Sequence, residues 1–178
     1  MAAKSKRSAA PRRKPAERRK QTPVSAGQSV GKLCDRAAVT VPASTTIIDA
    51  AKRMRDQHVG ALIVVDGRKA DRPLGIVTDR DVVVGVVAFD LDCSVFTVGD
   101  MMSPTLATLR DTDRVEDAIS LMRSKGVRRL PVIGASGRLA GIVALDDLLE
   151  HLAGQLCRVV EAVRREQARE ARTRKRVF

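Results

Sequence analysis

Thr78 and Asp81 lie three residues apart in GIVTDRD, Gly75 to Asp81, where an apolar run meets two acids. That spacing supports two chemistries. A threonine hydroxyl can take an orphan N–H at a helix start while the later acid reaches back, a capping box that contributes about 1 kcal/mol. The same first turn presents backbone N–H groups to a phosphate, and the hydroxyl can donate to it as well. An ionised aspartate only accepts, so Asp81 suits both donors of a ribose 2′,3′-diol. The two uses are compatible. A related word occurs at GIVALDD, Gly141 to Asp147, but Ala144 carries no hydroxyl and Asp146 is the expected cap there.

Both words close a sequence repeat, and the repeat says which elements must hold them. VGKLCDRAAVTV, Val30 to Val41, aligns with VGDMMSPTLATL, Val98 to Leu109, an offset of 68. Asp49-Ala50, Met54-Arg55, Val59, Leu62 and Val64 recur in the same register, and a shorter loop then brings Gly75-Ile76-Val77 onto Gly141-Ile142-Val143. Units of roughly 60 residues make poor independent cores, so the two are expected to pack on each other.

Each unit reads β-α-β-β-α. A leading segment ends in a β-rich triplet, Val39 to Val41 or Ala107 to Leu109. Ile47, Ile48, Ala51 and Met54 then mark a helix face, as do Val115, Ala118, Ile119 and Met122. Thr45 or Thr46, and Thr112 or Asp113, are the expected N-caps. ALIVV with LGIV, and RLPVI with LAGIV, read as strand pairs around the turn-rich DGRKADRP and GASGR. A second helix follows each GIV-acid word. The fold class is α/β (α+β), two such repeats packed on each other.

Composition narrows the chemistry. Aromatics are 2% of 178 residues, with no Trp and no Tyr, so a bound ring would lie between aliphatic side chains. The net charge of +12 is uneven. Residues 1–29 hold nine Lys/Arg against one acid, net +8, and residues 158–178 hold eight against three, net +5. The remaining residues 30–157 are left at −1, so the basicity belongs to the two ends. Cys34, Cys93 and Cys157 are odd in number and far apart, which argues against a disulfide framework or a zinc site and for a reducing cytoplasm. His58 and His151 stand alone in different repeats, and Asp146 and Asp147 diverge by about 100° on a helix, a poor dyad. No GxSxG, HExxH, P-loop or GxGxxG occurs. The chain reads as non-enzymatic.

The longest apolar run, Val82 to Phe89, falls far short of the roughly 20 residues of a membrane span. The N-terminal stretch KSKRSAAPRRKPAERRK shares its Arg-, Ser- and Ala-rich character with organelle transit peptides. Its prolines and lack of an apolar face favour a disordered tail. From Leu148 to Val163 an apolar stripe continues the last helix, and a basic helical extension follows at 158–178.

VGDMMSP, DAISLMRSKGVRRLPVI and the two GIV-acid endings, in this order, resemble the CBS (cystathionine-β-synthase-type) domain in its tandem form, the Bateman module. The likeness covers about residues 30–155. It implies repeats at 30–97 and 98–157, two three-stranded sheets packed across a pseudo-twofold axis, and two clefts between them that in the family commonly bind AMP, ADP, ATP or S-adenosylmethionine. The family pattern of glycine, two apolar residues, Thr or Ser, two variable residues and Asp falls on Gly75, Thr78 and Asp81. In the second copy Gly141 and Asp147 match and Ala144 departs, which puts a full second site in doubt. Family pairs often carry bases at a strand start that reach phosphates across the dyad. Here Arg128 and Arg129 stand where the first repeat has Gly60 and Ala61.

The resulting expectation is one composite cleft, with Thr78 and Asp81 on sugar and first phosphate and Arg128 or Arg129 on outer phosphates. The base would rest on Val39 and the backbone at Thr40, with Ile63 or Pro131 and Val132 as the other wall. The implied function is a cytoplasmic adenosyl-ligand sensor that needs no cofactor, forms a homodimer and signals to a regulated protein. The alternative is a dimeric adaptor whose basic tails bind polyanions such as nucleic acid or acidic protein.

Overall fold

The computed structural model describes residues 28–67, 72–103 and 105–174. The expected disordered tail at residues 1–29 lies outside them except for its last two positions. Strand β1 (Thr40–Pro42) is followed by helix α1 (Ile47–Gln57), strands β2 (Ala61–Val65) and β3 (Pro73–Thr78), and helix α2 (Asp79–Gly85). After a 3-10 turn and the short helix α3 (Val98–Met101), the order recurs as β4 (Leu109–Arg110), α4 (Val115–Lys125), β5 (Arg129–Ile133), β6 (Leu139–Ala144) and α5 (Leu145–Arg174).

Two three-stranded sheets result, β1-β2-β3 and β4-β5-β6. In each the first two strands are parallel and the last two antiparallel, with Thr40 opposite Ile63 and Leu109 opposite Val132. A parallel return needs a crossover, which α1 and α4 supply, whereas an antiparallel pair can be joined directly, as the turn at 134–138 joins β5 to β6. Ala61 to Val64 are all buried, and Leu62 and Val64 share one core with Ile47, Ala50 and Met54 of α1, Val82 of α2 and Val98 of the segment that leads the second repeat.

The helices start as their end chemistry dictates. The Asp49 N–H donates to the Thr46 hydroxyl at 3.1 Å, and α1 ends on His58 in the left-handed region at φ 53°. Ile47, Ala50 and Met54 form its buried face. In the second repeat the expected caps are corrected. Arg114 is the N-cap of α4, its N–H donating to Asp117 at 3.0 Å, while Asp113 is turned back to accept from the Arg110 N–H at 2.8 Å. Thr112 precedes the helix by too much to close its first turn.

The sequence repeats do not coincide with the packing units. Val30 and Cys34, which lead the first repeat, are buried in the core formed by Leu109, Val115, Ala118, Met122, Leu130 and Leu148 of the second. Val98, with Phe96, Met101 and Met102, packs into the core of the first. Backbone bonds fix both crossings. The Val30 N–H donates to the Asp113 carbonyl at 2.8 Å, Asp35 and Ile142 exchange bonds at 2.8 and 2.9 Å, and the Val98 N–H donates to the Thr45 carbonyl at 2.9 Å. Each leading segment is therefore held by the opposite repeat, which ties the two halves together.

Candidate functional site

This exchange explains the glycines of the two GIV words. A Cβ on Gly75 would stand 2.6 Å from the Met102 sulfur, and one on Gly141 would strike the Asp35 carbonyl. Both glycines admit a crossing segment. Gly75 is buried in β3 as a packing residue.

At the end of β3 the capping box is complete. Asp81 Oδ2 accepts from both the Thr78 N–H at 2.8 Å and the Thr78 hydroxyl at 2.7 Å, and the Asp81 N–H returns to the Thr78 oxygen at 3.2 Å. The remaining first-turn donors are also engaged. The Asp79 N–H reaches the Gly60 carbonyl at 3.3 Å, and the Arg80 N–H reaches its neighbour's carboxylate, Asp79 Oδ1, at 2.7 Å. The hydroxyl proton and the N–H groups that a phosphate would use are thus already bonded inside the protein. Asp81 Oδ1 keeps its acceptor capacity.

The second corner differs in one atom. The Ala144 N–H donates to Asp147 Oδ2 at 2.7 Å, and with no hydroxyl at residue 144 that is the one cap bond across the turn. Asp147, not Asp146, is the cap, which corrects the sequence expectation. The acid three residues after the last strand residue meets its N–H, as Asp81 does.

A cavity of about 390 Å³ opens on the first corner. Thr78, Asp79, Arg80 and Asp81 line one side, and Gly126, Val127, Arg128 and Arg129 the other, so both repeats contribute. Arg129 leads β5 and reaches across. Its guanidinium nitrogen lies 3.4 Å from where a Gly60 Cβ would be, with Asp79 Oδ2 at 3.1 Å from the same point. The small residue in the first repeat leaves the room that the large one in the second fills. Among the described residues neither Arg128 nor Arg129 has a carboxylate within 4.0 Å.

Ile76, Met101 and Ser103 complete the lining. Thr78, Asp81, Arg128 and Arg129 are therefore brought together. Gly75, Val39, Thr40 and Asp147 are not part of this lining. Thr40 is paired with Ile63 in the sheet, the Val39 carbonyl accepts from the Ile63 N–H at 3.0 Å, and Ile63, Pro131 and Val132 are buried. The apolar wall consists of Ile76, Met101 and Val127 instead. Arg80 and Met101 escaped the sequence reading. Arg80 has no spacing signal beyond following Asp79, and Met101 enters only because its segment crosses between repeats. Among the described residues no group of three or more His, Cys, Asp or Glu could hold a metal ion.

Two α/β repeats with exchanged leading segments and a cleft lined by both define a paired-repeat module. The CBS-domain family model matches residues 30–87 and 98–154, and the chain belongs to that family as a tandem CBS pair. An uncharacterized protein of Methanopyrus kandleri is 34% identical over 122 residues, 68% of this chain and 61% of that protein's length. A crystal structure of Hypoxic Response Protein I with two coordinated zinc ions superposes with a TM-score of 0.62 at 29% identity, covering 69% of this chain and 98% of that one. The hexameric CBS-CP12 protein from bloom-forming cyanobacteria superposes equally at 0.62 with 30% identity, covering 68% and 66%. No helix among the described residues is long and apolar enough to cross a membrane.

Proposed function

We propose that the chain is a non-enzymatic, cytoplasmic sensor that binds a phosphorylated adenosine, AMP, ADP or ATP, in the cleft between its repeats and reports occupancy to a partner. The observation that carries this reading is the convergence of Arg80, Arg128 and Arg129 with Asp81 on one cavity. Its volume of about 390 Å³ falls within the roughly 300–1,000 Å³ of small-molecule sites. Asp81 Oδ1 is the acceptor for a ribose diol, and the guanidiniums bind phosphate oxygens in forked pairs. The helix N-terminus has no part in it, since its donors are engaged. Ile76, Met101 and Val127 are the aliphatic surface for the base. S-adenosylmethionine fits less well, because its sulfonium would face three arginines opposed by two carboxylates. Ligand binding shifts the relative setting of the repeats only insofar as the two settings differ in affinity.

Calorimetry with AMP, ATP and S-adenosylmethionine tests this on the unaltered chain, Asp81→Ala, and Arg128→Ala with Arg129→Ala. Adenine nucleotide binding weakened by both changes supports the reading. Binding of S-adenosylmethionine alone, or nucleotide binding indifferent to all three residues, refutes it.

A second reading has its own observation. The last turns of α5 expose Arg164, Arg165, Arg169, Arg172 and Arg174 to solvent, and the N-terminal 29 residues add a net +8. In that reading the CBS pair is a dimeric scaffold and the basic ends bind polyanions by backbone electrostatics, with steep salt dependence. DNA retention at two salt concentrations, with and without residues 1–29, separates it from the sensor.

A further inference from the structure

Helix α5 runs unbroken for 30 residues, about 45 Å at the usual rise, and its last buried side chain is Leu148. Beyond it Leu149, Leu152, Leu156, Val159 and Val163 recur at alternating steps of three and four, the spacing of a coiled-coil seam. Among the described residues nothing covers them, with Leu156 66% exposed and Val159 60%. Charge is segregated along the same helix. From Leu145 to Glu161 there are four acids against Arg158, net −3, and from Ala162 to Arg174 five arginines against two glutamates, net +3.

We infer that this helix pairs with the α5 of a second copy of the chain, antiparallel, along the seam from Leu149 to Val163. Antiparallel alignment sets Leu152 against Val163 and Leu156 against Val159 in both senses. It also brings Arg165 level with Glu150 of the second copy and Arg169 level with Asp146. A parallel pair would place five arginines beside their own duplicates, and would align rather than oppose the helix dipoles. Acids at the start and bases at the end suit the helix's own dipole too, so the exposed seam is what requires a partner and the charge is what orients it. A lipid surface fits less well, because Glu166 and Glu170 continue the line of the stripe where an embedded face needs apolar residues. The cleft has no part in this pairing, which stands whether or not a nucleotide binds.

The test uses the full chain with Cys93→Ser and Cys157→Ser, Cys34 being buried. Leu152→Cys and Val163→Cys are made separately, mixed and oxidised. Disulfide-linked dimer is expected from the mixture and not from either variant alone. Leu156→Lys, at an exposed position, is expected to abolish the dimer in sedimentation while leaving the circular dichroism of the folded domain intact. Val163→Cys cross-linking with itself would show a parallel pair and overturn the orientation. A dimer that survives Leu156→Lys, or a monomer throughout, including one recruited to anionic vesicles, overturns the pairing itself.

Discussion

The corners at Gly75–Asp81 and Gly141–Asp147 have nearly the same backbone and opposite surroundings. In the first, Thr78 ties Asp81 with an N–H and a hydroxyl, yet the corner faces a cavity that two arginines of the other repeat enter. In the second, Ala144 leaves Asp147 with a single bond across the turn, and the matching positions on the first repeat are Gly60 and Ala61, without charge. Cap chemistry and ligand chemistry are thus distributed independently. The threonine that makes the first corner look like a phosphate donor is consumed by the cap, and the positive charge comes from the other half of the molecule.

The largest expected effect tests the segment crossings beneath the corners. Gly141→Ala drives a methyl into the Asp35 carbonyl, a backbone group held by reciprocal bonds to Ile142. Gly75→Ala meets the side chain of Met102, which can turn aside. Urea unfolding is expected to show a loss of roughly 2–3 kcal/mol for Gly141→Ala and about 1 kcal/mol for Gly75→Ala. Equal costs would mean that the two crossings are equally yielding. Cys34 gives a second readout, since burial raises its thiol pKa and slows its alkylation. Gly141→Ala should accelerate labelling of Cys34 before global unfolding.

Next in size is the effect of the arginines. Removing Arg128 or Arg129 is expected to cost about 1.5–3 kcal/mol of nucleotide affinity, roughly tenfold to a hundredfold. The sharper contrast is between the two aspartates. Asp81→Ala should lose both stability and binding, whereas Asp147→Ala should lose about 1 kcal/mol of stability and leave binding unchanged. Loss of binding with Asp147→Ala, measured by calorimetry, would return the second corner to the site.

Much of this arrangement is legible in the residues. The repeat, the β-α-β-β-α order and the Thr78–Asp81 box follow from words and their spacing, and the meeting of Arg128 and Arg129 with that box from the family resemblance. The exchange of leading segments does not, and the reason is the repeat itself. VGKLCD and VGDMMS both open on Val-Gly ahead of a short apolar stretch, and periodicity does not say which of two cores such a segment enters. What Val39, Thr40, Ile63, Pro131 and Val132 do was hidden for a related reason. An apolar strand residue has one pattern whether it lines a cleft or fills a core, and here Ile63, Pro131 and Val132 are buried while Val39 and Thr40 are half-buried. Arg80 is invisible because an exposed base on a first turn looks like any solvated charge.

A smaller effect follows from exchanging the one residue that distinguishes the corners. Thr78→Ala is expected to cost about 1 kcal/mol, and Ala144→Thr to gain several tenths to about 1 kcal/mol by giving Asp147 the hydroxyl it lacks. Thermal unfolding of the two single variants and of the double swap measures this. Affinity for nucleotide should follow Asp81 and the arginines rather than the hydroxyl, so Thr78→Ala should change stability more than binding. A loss of binding larger than the loss of stability would restore Thr78 to direct ligand contact.

The smallest effect is in pH, and it comes from boxes of the same form elsewhere. The Thr46 hydroxyl, and then Lys52, hold the Asp49 carboxyl below its ordinary pKa, and the Thr97 hydroxyl and N–H do so for Asp100. A folded-state pKa below the unfolded one means that the bond stabilises the fold above the unfolded value, about 3.9, and that this is lost as pH falls through the folded value. Urea midpoints should therefore change little through these groups above about pH 5 and decline below about pH 4. Asp49→Asn combined with Asp100→Asn should flatten that decline, because an amide does not titrate. An undiminished slope in the double variant would place the acid sensitivity in other carboxylates. Both residues are exposed, so the change is expected to be the least of those argued here.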